Sequence, residues 1–434
     1  MISLYPHQQK ALEQTEDHNK VAYYLDMGLG KTFVGSEKMM QLGANVNLVI
    51  CQKSKIDDWI EHFEHNYKGC IVYDLTNQSA LDGFLFNSLE IESFNKNIGV
   101  INYELAFRRP ELLKLKDFTL MLDESSLVQN EQAKRSKFIM KLNFENLILL
   151  SGTPTGGKYE KLWSQLHMLG YGLSKKAFYR MYVDFHYEDN EGFPIMIIDG
   201  YKNVERLKKK MRDFGCVFMK SDEAFDLPDQ TFIDIKVPTT KEYRKFKKDC
   251  IVSWEETFPP CDDIMYIELV GDTTLTKMLY ERQLCGHYNE DKLKAFEDLV
   301  ESTNDRLIVF YNFTAELDAM RHICDMLGRA YSIVNGQDKD LHAYEQKDDS
   351  VTFLQYQAGA MGLNLQKANK IVYFSPPLSS ELFEQSKKRI HRIGQEKSCF
   401  YYKLICKGSI EEKIYKTLEM RKNYTEALFE KGGN

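Results

Sequence analysis

The stretch from Asp26 to Thr32, which reads Asp-Met-Gly-Leu-Gly-Lys-Thr, has the residue types and spacing of a phosphate-binding loop. It follows an apolar run, Val21 to Leu25, and precedes a predicted helix over Phe33 to Leu42 that Gly43 closes. Glycines allow backbone N–H groups to approach phosphate oxygens, and the N-terminus of the helix adds positive dipole charge. The residues predicted to bind a nucleotide here are Met27, Gly28, Leu29, Gly30, Lys31 and Thr32.

Within this loop, Lys31 is predicted to reach the β- and γ-phosphates and Thr32 to ligate Mg²⁺. The first glycine of the full Walker pattern is missing, because that position is Leu25. The alternative is an ordinary Gly-Lys-Thr turn that begins a helix. The motifs further along the chain favour the nucleotide site.

Two adjacent carboxylates follow another apolar run. The run from Phe118 to Leu122 predicts a strand that leads into Asp123 and Glu124, which is the Walker B arrangement. Asp123 would hold Mg²⁺ through its water shell, and Glu124 would orient and deprotonate the attacking water. The alternative is an acidic turn after a strand. A further strand, Leu147 to Leu150, leads into Ser151–Pro154, whose small hydroxyl residues we expect to sense the nucleotide.

Two arginines and a glutamine in the last quarter of the chain are spaced for phosphate chemistry. Gln385, Arg389 and Arg392 lie at i, i+4 and i+7, so a helix from Ser380 to Gly394 would carry them on one face. Arginine bonds phosphate oxygens in a bidentate manner, and an arginine finger neutralises charge as a γ-phosphate is transferred. The alternative is a basic helix face in water.

The elements that must position these residues alternate between apolar strands and helix-length stretches. This alternation predicts parallel sheets with helices on both faces, in which ligands bind at the carboxyl ends of strands. Besides the strands already described, the sequence predicts Asn47–Cys51, Cys70–Leu75, Ile98–Asn102, Thr231–Val237, Arg306–Phe310, Ser332–Val334, Val351–Leu354, Lys370–Phe374 and Phe400–Ile405. No second Gly-Lys-Thr occurs, so the second half is expected to complete the first half rather than bind its own nucleotide.

The length of 434 residues leaves room for two or three domains, at ~150 residues for each domain. We predict an α/β fold of two parallel-sheet lobes in tandem with helical insertions. Lobe 1 is predicted to cover residues 1–222, with a helical insertion at about 160–222. Lobe 2 is predicted to cover residues 223–434, with a helical or irregular segment at about 238–290. Within that segment we expect a helix over Tyr243 to Trp254 and irregular structure over Phe258 to Thr273.

Composition and charge exclude several classes of protein. The net charge is −7, so the chain is not a globally basic nucleic-acid binder, although a local basic groove suffices for binding. No apolar run reaches the ~18 residues that a transmembrane helix needs, and the first ten residues lack a signal-peptide layout. Nine cysteines form no Cys-x-x-Cys pair, which argues against a disulfide framework and a structural zinc site. We therefore expect a cytoplasmic protein without a membrane partner.

Tyr5 and Gln8 precede the first predicted strand and are candidates for holding a base. A glutamine amide can pair with N6 and N7 of adenine, and an aromatic ring can stack on the base. The alternative for this segment is a polar N-terminal helix without a ligand.

Taken together, these motifs resemble those of superfamily II helicases. Residues 389–395, Arg-Ile-His-Arg-Ile-Gly-Gln, are similar to the last motif of the Swi/Snf branch. Met27–Thr32 fits that branch too, because the branch itself lacks the first Walker glycine. Further matching stretches are Gly359–Leu365, Arg282–Cys285 and Gly408–Ile414, so the resemblance runs from Leu4 to about Leu418.

The resemblance implies two RecA-like lobes, with ATP in the cleft and DNA across both of them. It implies a DNA-stimulated ATPase that translocates on double-stranded DNA and remodels DNA structures or protein–DNA complexes. We expect a monomer, with ATP and Mg²⁺ as cofactors and duplex or branched DNA as partner. By position, the catalytic residues would be Lys31, Asp123, Glu124, Arg389 and Arg392.

The resemblance also assigns binding residues by position. Gln8 would read adenine, while Gly362 and Gln385 would contact the nucleotide. The residues expected to touch DNA are Lys53, Ser54, Asn102, Thr153, Asn312 and Gln357.

The sequence departs from the family pattern in a few places. Ser125-Ser126 stands where many members have Ala-His or Ser-His, Gly359-Ala360 replaces Gly-Gly, and Phe218–Ser221 replaces a lysine- and arginine-containing segment. Accessory modules such as histone-tail readers are missing, so we expect no chromatin partner. The compact form resembles short versions found in bacteria and phages. Two alternatives stay open, namely a strand-separating or branch-migrating helicase on forks or junctions, and an ATP-dependent DNA-binding clamp without motor activity.

Overall fold

A computed structural model describes residues 3–88, 95–190, 193–258, 263–359 and 363–429. The chain divides into two units. Unit 1 comprises the residues up to Phe225 together with those from Asn423 onward, and unit 2 runs from Asp226 to Lys422.

Unit 1 is an α/β layer structure. Its strands are β1 Lys20–Leu25, β2 Val46–Cys51, β3 Cys70–Asp74, β4 Lys96–Asn102, β5 Lys116–Asp123, β6 Asn143–Ser151, β7 Val183–Asn190, β8 Phe193–Tyr201 and β9 Cys216–Met219. Its helices are α1 Pro6–Glu13, α2 Lys31–Leu42, α3 Ile56–Asn66, α4 Gln78–Asn87, α5 Tyr103–Ala106, α6 Lys134–Ile139, α7 Leu162–Met168, α8 Lys175–Tyr182, α9 Val204–Asp213 and α10 Ser221–Ala224.

The main sheet of unit 1 has the strand order β3-β4-β2-β5-β6-β1-β9, with parallel pairing throughout. Successive residues of a strand point to opposite faces. In β1, Ala22 and Tyr24 join one hydrophobic cluster while Val21, Tyr23 and Leu25 join another, so both faces of the sheet are buried. This double burial explains why the strands are continuous apolar runs. Because β5, β6 and β1 are parallel neighbours, the polar residues that follow them lie at the same edge of the sheet.

A hairpin departs from this sheet. Strands β7 and β8 pair in antiparallel register between α8 and α9. Near its base, Tyr201 stacks on Tyr159 with ring centroids 4.5 Å apart, and Tyr424 packs edge-on against Tyr201.

Unit 2 repeats the parallel architecture. Its strands are β10 Gln230–Val237, β11 Ile251–Phe258, β12 Asp263–Val270, β13 Leu307–Tyr311, β14 Tyr331–Val334, β15 Lys339–Asp340, β16 Val351–Gln355, β17 Lys370–Tyr373 and β18 Cys399–Cys406. Its helices are α11 Lys241–Asp249, α12 Thr274–Cys285, α13 Glu290–Glu301, α14 Thr314–Met326, α15 His342–Gln346, α16 Tyr356–Gly359, α17 Ser380–Lys387 and α18 Ile410–Phe429, the last of which extends into the residues assigned to unit 1.

The sheet of unit 2 has the order β10-β18-β17-β13-β16-β14-β15, in which the edge strand β15 is antiparallel and the others pair in parallel. Hydrophobic clusters cover both faces, with Ile308 and Phe310 on one side and Leu307, Val309 and Tyr311 on the other. The predicted α/β fold with two parallel-sheet units is therefore confirmed.

Two predictions about the segment between β10 and β13 of unit 2 are wrong. The helix expected over Tyr243 to Trp254 ends at Asp249, because Cys250 adopts a left-handed conformation with φ of 59°. The stretch expected to be irregular instead forms the antiparallel hairpin β11–β12, in which Val252 pairs with Leu269. Residues 259–262 lie outside the described part of the chain.

Strand β9 was not predicted from the sequence. It is only four residues long and follows Gly215, whose φ is 75°. Pairing with β1 stabilises it, and that partner is nearly 200 residues away in the chain. None of the helices in the described ranges has the length and apolar character needed to cross a bilayer.

Candidate nucleotide-binding and hydrolysis site

The loop between β1 and α2 has a backbone that glycine makes possible. Gly28 has a φ of 89° and Gly30 a φ of 74°, which are values that side-chain-bearing residues rarely adopt. Gly30 is the N-cap of α2, so the unpaired N–H groups of the first helical turn face this loop. Lys31 and Thr32 are the first residues of the helix. This is the local geometry of an anion site.

Gln8 of α1 packs directly against this loop. Its amide Nε2 donates to the Leu29 carbonyl at 3.1 Å, and its Oε1 accepts from the Tyr5 backbone N–H at 3.0 Å. A Cβ atom on Gly30 would lie 2.2 Å from Gln8 Nε2. The buried side chain of Gln8 therefore supports the loop, and its predicted reading of adenine stays a prediction.

Tyr5, the predicted base-stacking residue, is 56% exposed. Its ring stacks on His7 with centroids 5.8 Å apart and meets Phe225 edge-on at 6.0 Å. An exposed aromatic face next to Gln8 is suited to a base, but the stacking itself stays a prediction.

Lys31 lies at the junction of two motifs. Its Nζ donates to the carbonyls of Leu25 at 3.0 Å and Asp26 at 3.4 Å. A Cβ atom on Gly152 would lie 3.4 Å from Lys31 Nζ and 3.5 Å from Met27 Cγ. The Ser151–Pro154 loop after β6 is thus in contact with the phosphate loop, as the order of β1 and β6 in the sheet requires.

Asp123 ends β5 beside this loop. The indole N–H of Trp59 donates to its Oδ2 at 2.9 Å, and the Tyr103 hydroxyl donates to its backbone carbonyl at 2.8 Å. Burial raises the pKa of Asp123, while the Trp59 hydrogen bond and the positive charge of Lys31 act in the opposite direction. The structure therefore brings together Lys31 and Asp123, which are 92 positions apart in the chain.

Glu124 adopts a strained conformation immediately after Asp123. Its φ of 54° and ψ of 59° place a side-chain-bearing residue in the left-handed region. Strain of this kind costs on the order of 1–3 kcal/mol and persists only where the surroundings impose it. A short 3₁₀ helix, Ser125–Val128, follows at once.

Gln165 of α7 connects three of these segments, and sequence reasoning missed it. Its Oε1 accepts hydrogen bonds from Tyr24 Oη at 3.0 Å and Ser125 Oγ at 2.9 Å, while its Nε2 donates to the Pro154 carbonyl at 2.8 Å. The only signal in the sequence is a polar residue between Leu162 and Leu166 on an otherwise apolar helix face.

A further link that the sequence did not reveal starts at Asp26. Its Oδ2 accepts from the backbone N–H of Ser221 at 3.2 Å and from the Ser221 hydroxyl at 3.0 Å. The first residue of the phosphate loop thereby fixes the start of α10.

The arginine motif of unit 2 differs from its predicted form. The helix expected from Ser380 to Gly394 ends at Lys387, so Gln385 lies on α17 while Arg389 and Arg392 follow it. The prediction of one shared helical face is therefore wrong. Beyond the end of the helix, the Arg389 carbonyl accepts from Leu365 N–H and the Ile390 carbonyl accepts from Gln395 Nε2, at 3.2 Å each, so contacts outside a regular helix hold this segment.

The segment after Arg389 packs against residues 363–368. Arg389 is 1% exposed, and its Nη1 lies 3.5 Å from the Leu363 carbonyl. Arg392 donates from Nη1 to Asn364 Oδ1, and partial burial lowers the pKa of its guanidinium. Two stretches singled out in the sequence are thus adjacent in unit 2. Gly362, the predicted nucleotide contact, lies outside the described residues.

The residues predicted to touch DNA differ in exposure. Lys53 and Ser54 are exposed on a short 3₁₀ helix, Lys53–Lys55, and Gln357 is exposed just after β16. By contrast, Asn102 and Thr153 are each 7% exposed. Their contacts with DNA stay predictions.

Two of these residues have internal partners. Asn102 donates to Glu104 Oε2 at 3.0 Å. Asn312 is half-buried, and its Nδ2 donates to Ser375 Oγ at 2.8 Å and to the Pro376 carbonyl at 3.1 Å. Any contact of these side chains with a phosphate backbone would have to compete with these bonds.

The parallel sheet, the glycine loop at a helix N-terminus and the adjacent Asp-Glu turn define unit 1 as a P-loop type α/β unit. Residues 16–290 match the family model described as the SNF2-related domain, and residues 291–394 match the model described as the Helicase conserved C-terminal domain. The chain therefore belongs to the SNF2-related family, and the resemblance to the Swi/Snf branch is confirmed.

Curated relatives agree with this assignment. A protein of Mus musculus named SWI/SNF-related matrix-associated actin-dependent regulator of chromatin subfamily A member 1 is 23% identical, covering 94% of this chain and 41% of that protein. The Putative ATP-dependent helicase/translocase YwqA of Bacillus subtilis is 23% identical, covering 93% of this chain and 46% of that protein. The chain thus spans less than half the length of these relatives.

A solved structure described as the Sulfolobus solfataricus SWI2/SNF2 ATPase core in complex with dsDNA is 20% identical and covers 98% of this chain and 92% of that chain, with a TM-score of 0.43.

Proposed function

We propose that this protein is a DNA-stimulated ATPase that translocates on double-stranded DNA and remodels DNA structures or protein–DNA complexes. The observation that carries the proposal is the site of unit 1, where Lys31, the Asp123–Glu124 turn and Gly152 meet at the carboxyl ends of three neighbouring strands. Membership of the SNF2-related family supports the same activity. The names of two relatives, an ATP-dependent helicase/translocase and a regulator of chromatin, favour a motor acting on DNA.

The donor set of unit 1 fits a nucleotide with Mg²⁺. The positive-φ glycines and the N-terminus of α2 suit phosphate oxygens, and Lys31 adds a positive charge. A carboxylate and a hydroxyl are oxygen ligands of the kind that Mg²⁺ prefers, so Asp123 and Thr32 would hold the ion. The bound ion would supply charge neutralisation at the β- and γ-phosphates.

The remaining roles belong to the chain itself. Glu124 orients the attacking water and accepts its proton, and Trp59 fixes the Asp123 carboxylate. Arg392 of unit 2 contributes positive charge as the γ-phosphate is transferred, with Arg389 holding the segment that carries it. Duplex or branched DNA is the proposed partner. The monomeric state and the cytoplasmic location expected from the sequence stay predictions.

Phosphate release tests the proposal most directly. We expect ATP hydrolysis by the parent protein to be stimulated by duplex DNA, and we expect Lys31→Ala and Arg392→Ala each to abolish most of that rate. Lys10→Ala on α1 and Arg244→Ala on α11 are matched controls that remove exposed charges elsewhere in each unit. Hydrolysis at the parent rate by Lys31→Ala would refute the proposal.

The alternatives give different results on defined substrates. A translocase displaces a third strand from blunt duplex DNA without separating the duplex, whereas a helicase releases a labelled strand from a fork. A clamp binds ATP stoichiometrically without DNA-stimulated phosphate release. Because contacts with phosphates release counterions, DNA affinity is also expected to fall with rising salt concentration.

A further inference from the structure

Gln165 is an amide at a position where the packing favours a hydrocarbon. It is 0% exposed, and its neighbours Leu162 and Leu166 on α7 are fully buried as well. Burying an amide without hydrogen bonds costs several kcal/mol, on the order of 2–7. A leucine would fill this position at lower cost, so the polar group has to be explained by the bonds that it makes.

These bonds join three segments that are far apart in the chain. Tyr24 lies in β1, which leads into the phosphate loop. Ser125 directly follows Glu124, and Pro154 ends the loop that carries Gly152. Both acceptor positions of the Gln165 oxygen and one donor of its nitrogen are used, at 2.8–3.0 Å. A buried network satisfied in this way fixes the relative positions of its members.

This network helps to hold Glu124 in position. The left-handed backbone of Glu124 is held from both sides, because Tyr103 bonds the carbonyl of Asp123 and Gln165 bonds the side chain of Ser125. Without the second of these bonds, the turn could relax toward an unstrained conformation and move the Glu124 carboxylate.

We infer that Gln165 is a positioning residue, which couples the catalytic Asp123–Glu124 turn to the Ser151–Pro154 loop. The inference rests on the proposed ATPase function and adds a residue to it. Through Gln165, a displacement of the Ser151–Pro154 loop changes the position of Glu124, so that the rate of hydrolysis depends on the state of that loop.

A double-mutant cycle on kcat tests the coupling. Gln165→Leu and Ser125→Ala are each expected to lower the DNA-stimulated kcat about tenfold with little change in the KM for ATP, as expected when transition-state interactions alone are lost. The double variant is expected to be no slower than Gln165→Leu, because both substitutions remove the same hydrogen bond. If the fold-losses in kcat of the two single variants multiplied in the double variant, the inference would be wrong. A kcat of Gln165→Leu equal to that of the parent would also overturn it.

A control variant separates coupling from general damage to this region. Asn146 of β6 is also a buried amide, and its Nδ2 donates to Thr119 Oγ1 at 3.2 Å, away from the catalytic turn and from Pro154. Asn146→Leu is expected to retain a kcat and a degree of DNA stimulation close to those of the parent. If Asn146→Leu and Gln165→Leu lowered thermal stability and kcat equally, Gln165 would have a structural role only.

Hydrogen exchange distinguishes failure of this inference from failure of the proposed function. If the parent protein released no phosphate with any DNA, the proposed function would fail, yet the coupling would still be measurable. Gln165→Leu is expected to speed amide exchange in both Ser125–Val128 and residues 153–157. Faster exchange in only one of these segments, or in neither, would overturn the coupling whatever the ATPase result.

Discussion

The indole N–H of Trp59 donates a 2.9 Å hydrogen bond to Oδ2 of Asp123. Trp59 is 2% exposed on α3 and stacks on Phe63 with ring centroids 5.7 Å apart. The ring therefore has little freedom, and its N–H fixes the orientation of the carboxylate. If Asp123 holds Mg²⁺ as proposed, loss of the group that orients its carboxylate should lower metal affinity or activity, typically by about 10–100-fold.

Trp59→Phe is expected to lower kcat about tenfold, which corresponds to ~1.4 kcal/mol of lost transition-state stabilisation. The phenyl ring keeps most of the packing but lacks the N–H donor. We also expect a higher Mg²⁺ concentration for half-maximal activity. Trp254→Phe in unit 2, where Trp254 packs edge-on against Tyr288, is the matched control and should behave as the parent does.

The same variant should change the pH profile. Burial raises the pKa of Asp123, and the Trp59 hydrogen bond opposes that rise by stabilising the ionised carboxylate. Loss of the donor therefore raises the pKa further. Because the role proposed for Asp123 requires the ionised carboxylate, the acid limb of the kcat/KM profile should move to higher pH in Trp59→Phe. An unchanged or lowered acid limb would contradict this assignment.

Gly30→Ala is expected to impair nucleotide binding more than its backbone strain alone explains. A left-handed backbone costs an alanine roughly 1–2 kcal/mol, and a Cβ atom here would also lie 2.2 Å from Gln8 Nε2. Gly43→Ala is the matched control. Gly43 has a similar φ of 76°, but beyond its chain neighbours a Cβ atom at this position would have its nearest neighbour 4.0 Å away. Calorimetric titration with ATP should show weaker binding for Gly30→Ala only, while both variants lose stability. If Gly30→Ala and Gly43→Ala bound ATP with equal affinity, Gly30 and Gln8 would not belong to the nucleotide site.

Local patterns in the sequence were sufficient for the strands that carry the site. Residues such as Val21–Leu25 and Phe118–Leu122 form continuous apolar runs, because both faces of the sheet are covered. The helix after the phosphate loop was predicted to end at Leu42, and Gly43 does close it in a left-handed conformation. These features depend on residues within about one helical turn of each other, so a single sequence contains the information.

Contacts between distant segments could not be predicted in this way. Trp59 appears in the sequence as a core residue spaced four positions from Phe63, and nothing local indicates its bond to Asp123. Gln165 likewise has partners up to 141 positions away. The arginine segment also depends on contacts that are distant or non-helical, because Leu365 and Gln395 donate to the carbonyls of Arg389 and Ile390. Spacing predicts a face only while the helix continues.

Lys292→Met is expected to destabilise unit 2 by about 3–5 kcal/mol, because it leaves Glu411 charged and unpaired in the interior. The Lys292 Nζ and Glu411 Oε1 atoms are 2.6 Å apart, with both side chains almost fully buried. The double variant Lys292→Met/Glu411→Gln should regain most of that loss, since an amide oxygen can still accept the Cys406 N–H. Urea unfolding measures both effects.

Lys294→Met, two positions along α13, is the control for this pair. Lys294 is 61% exposed and its partners Glu297 and Asp298 are at the surface of the helix. Exposed ion pairs contribute little, so its effect should stay within about 0.5 kcal/mol. A double variant as unstable as Lys292→Met would show that lost packing, rather than an unpaired charge, causes the effect.

Arg389 and Arg392 should respond differently to substitution. Arg389 is almost fully buried among the residues of unit 2, so Arg389→Ala is expected to lower the thermal stability as well as the ATPase rate. Arg392 is only partly buried, so Arg392→Ala is expected to keep the parent's unfolding midpoint while losing DNA-stimulated hydrolysis. Measuring unfolding and phosphate release on the same preparations checks both statements. Loss of stability in Arg392→Ala and not in Arg389→Ala would reverse the proposed division of roles.

His62 should make the protein less stable as the pH falls. Burial lowers its pKa to about 4, whereas a histidine in an unfolded chain titrates near ~6.5. Between these values the unfolded chain binds a proton that the folded chain does not, so the free energy of unfolding decreases as the pH falls from about 6.5 towards 4. His62 Nε2 is 2.9 Å from Ser36 Oγ on α2, which holds the half-buried ring in place. His62→Gln should therefore flatten the pH dependence of the urea unfolding midpoint over this range. His65 is exposed on the same helix, so His65→Gln should show the same pH dependence as the parent. Curves for parent and His62→Gln that stay parallel from pH 7 to pH 4.5 would show that His62 takes up its proton equally in both states.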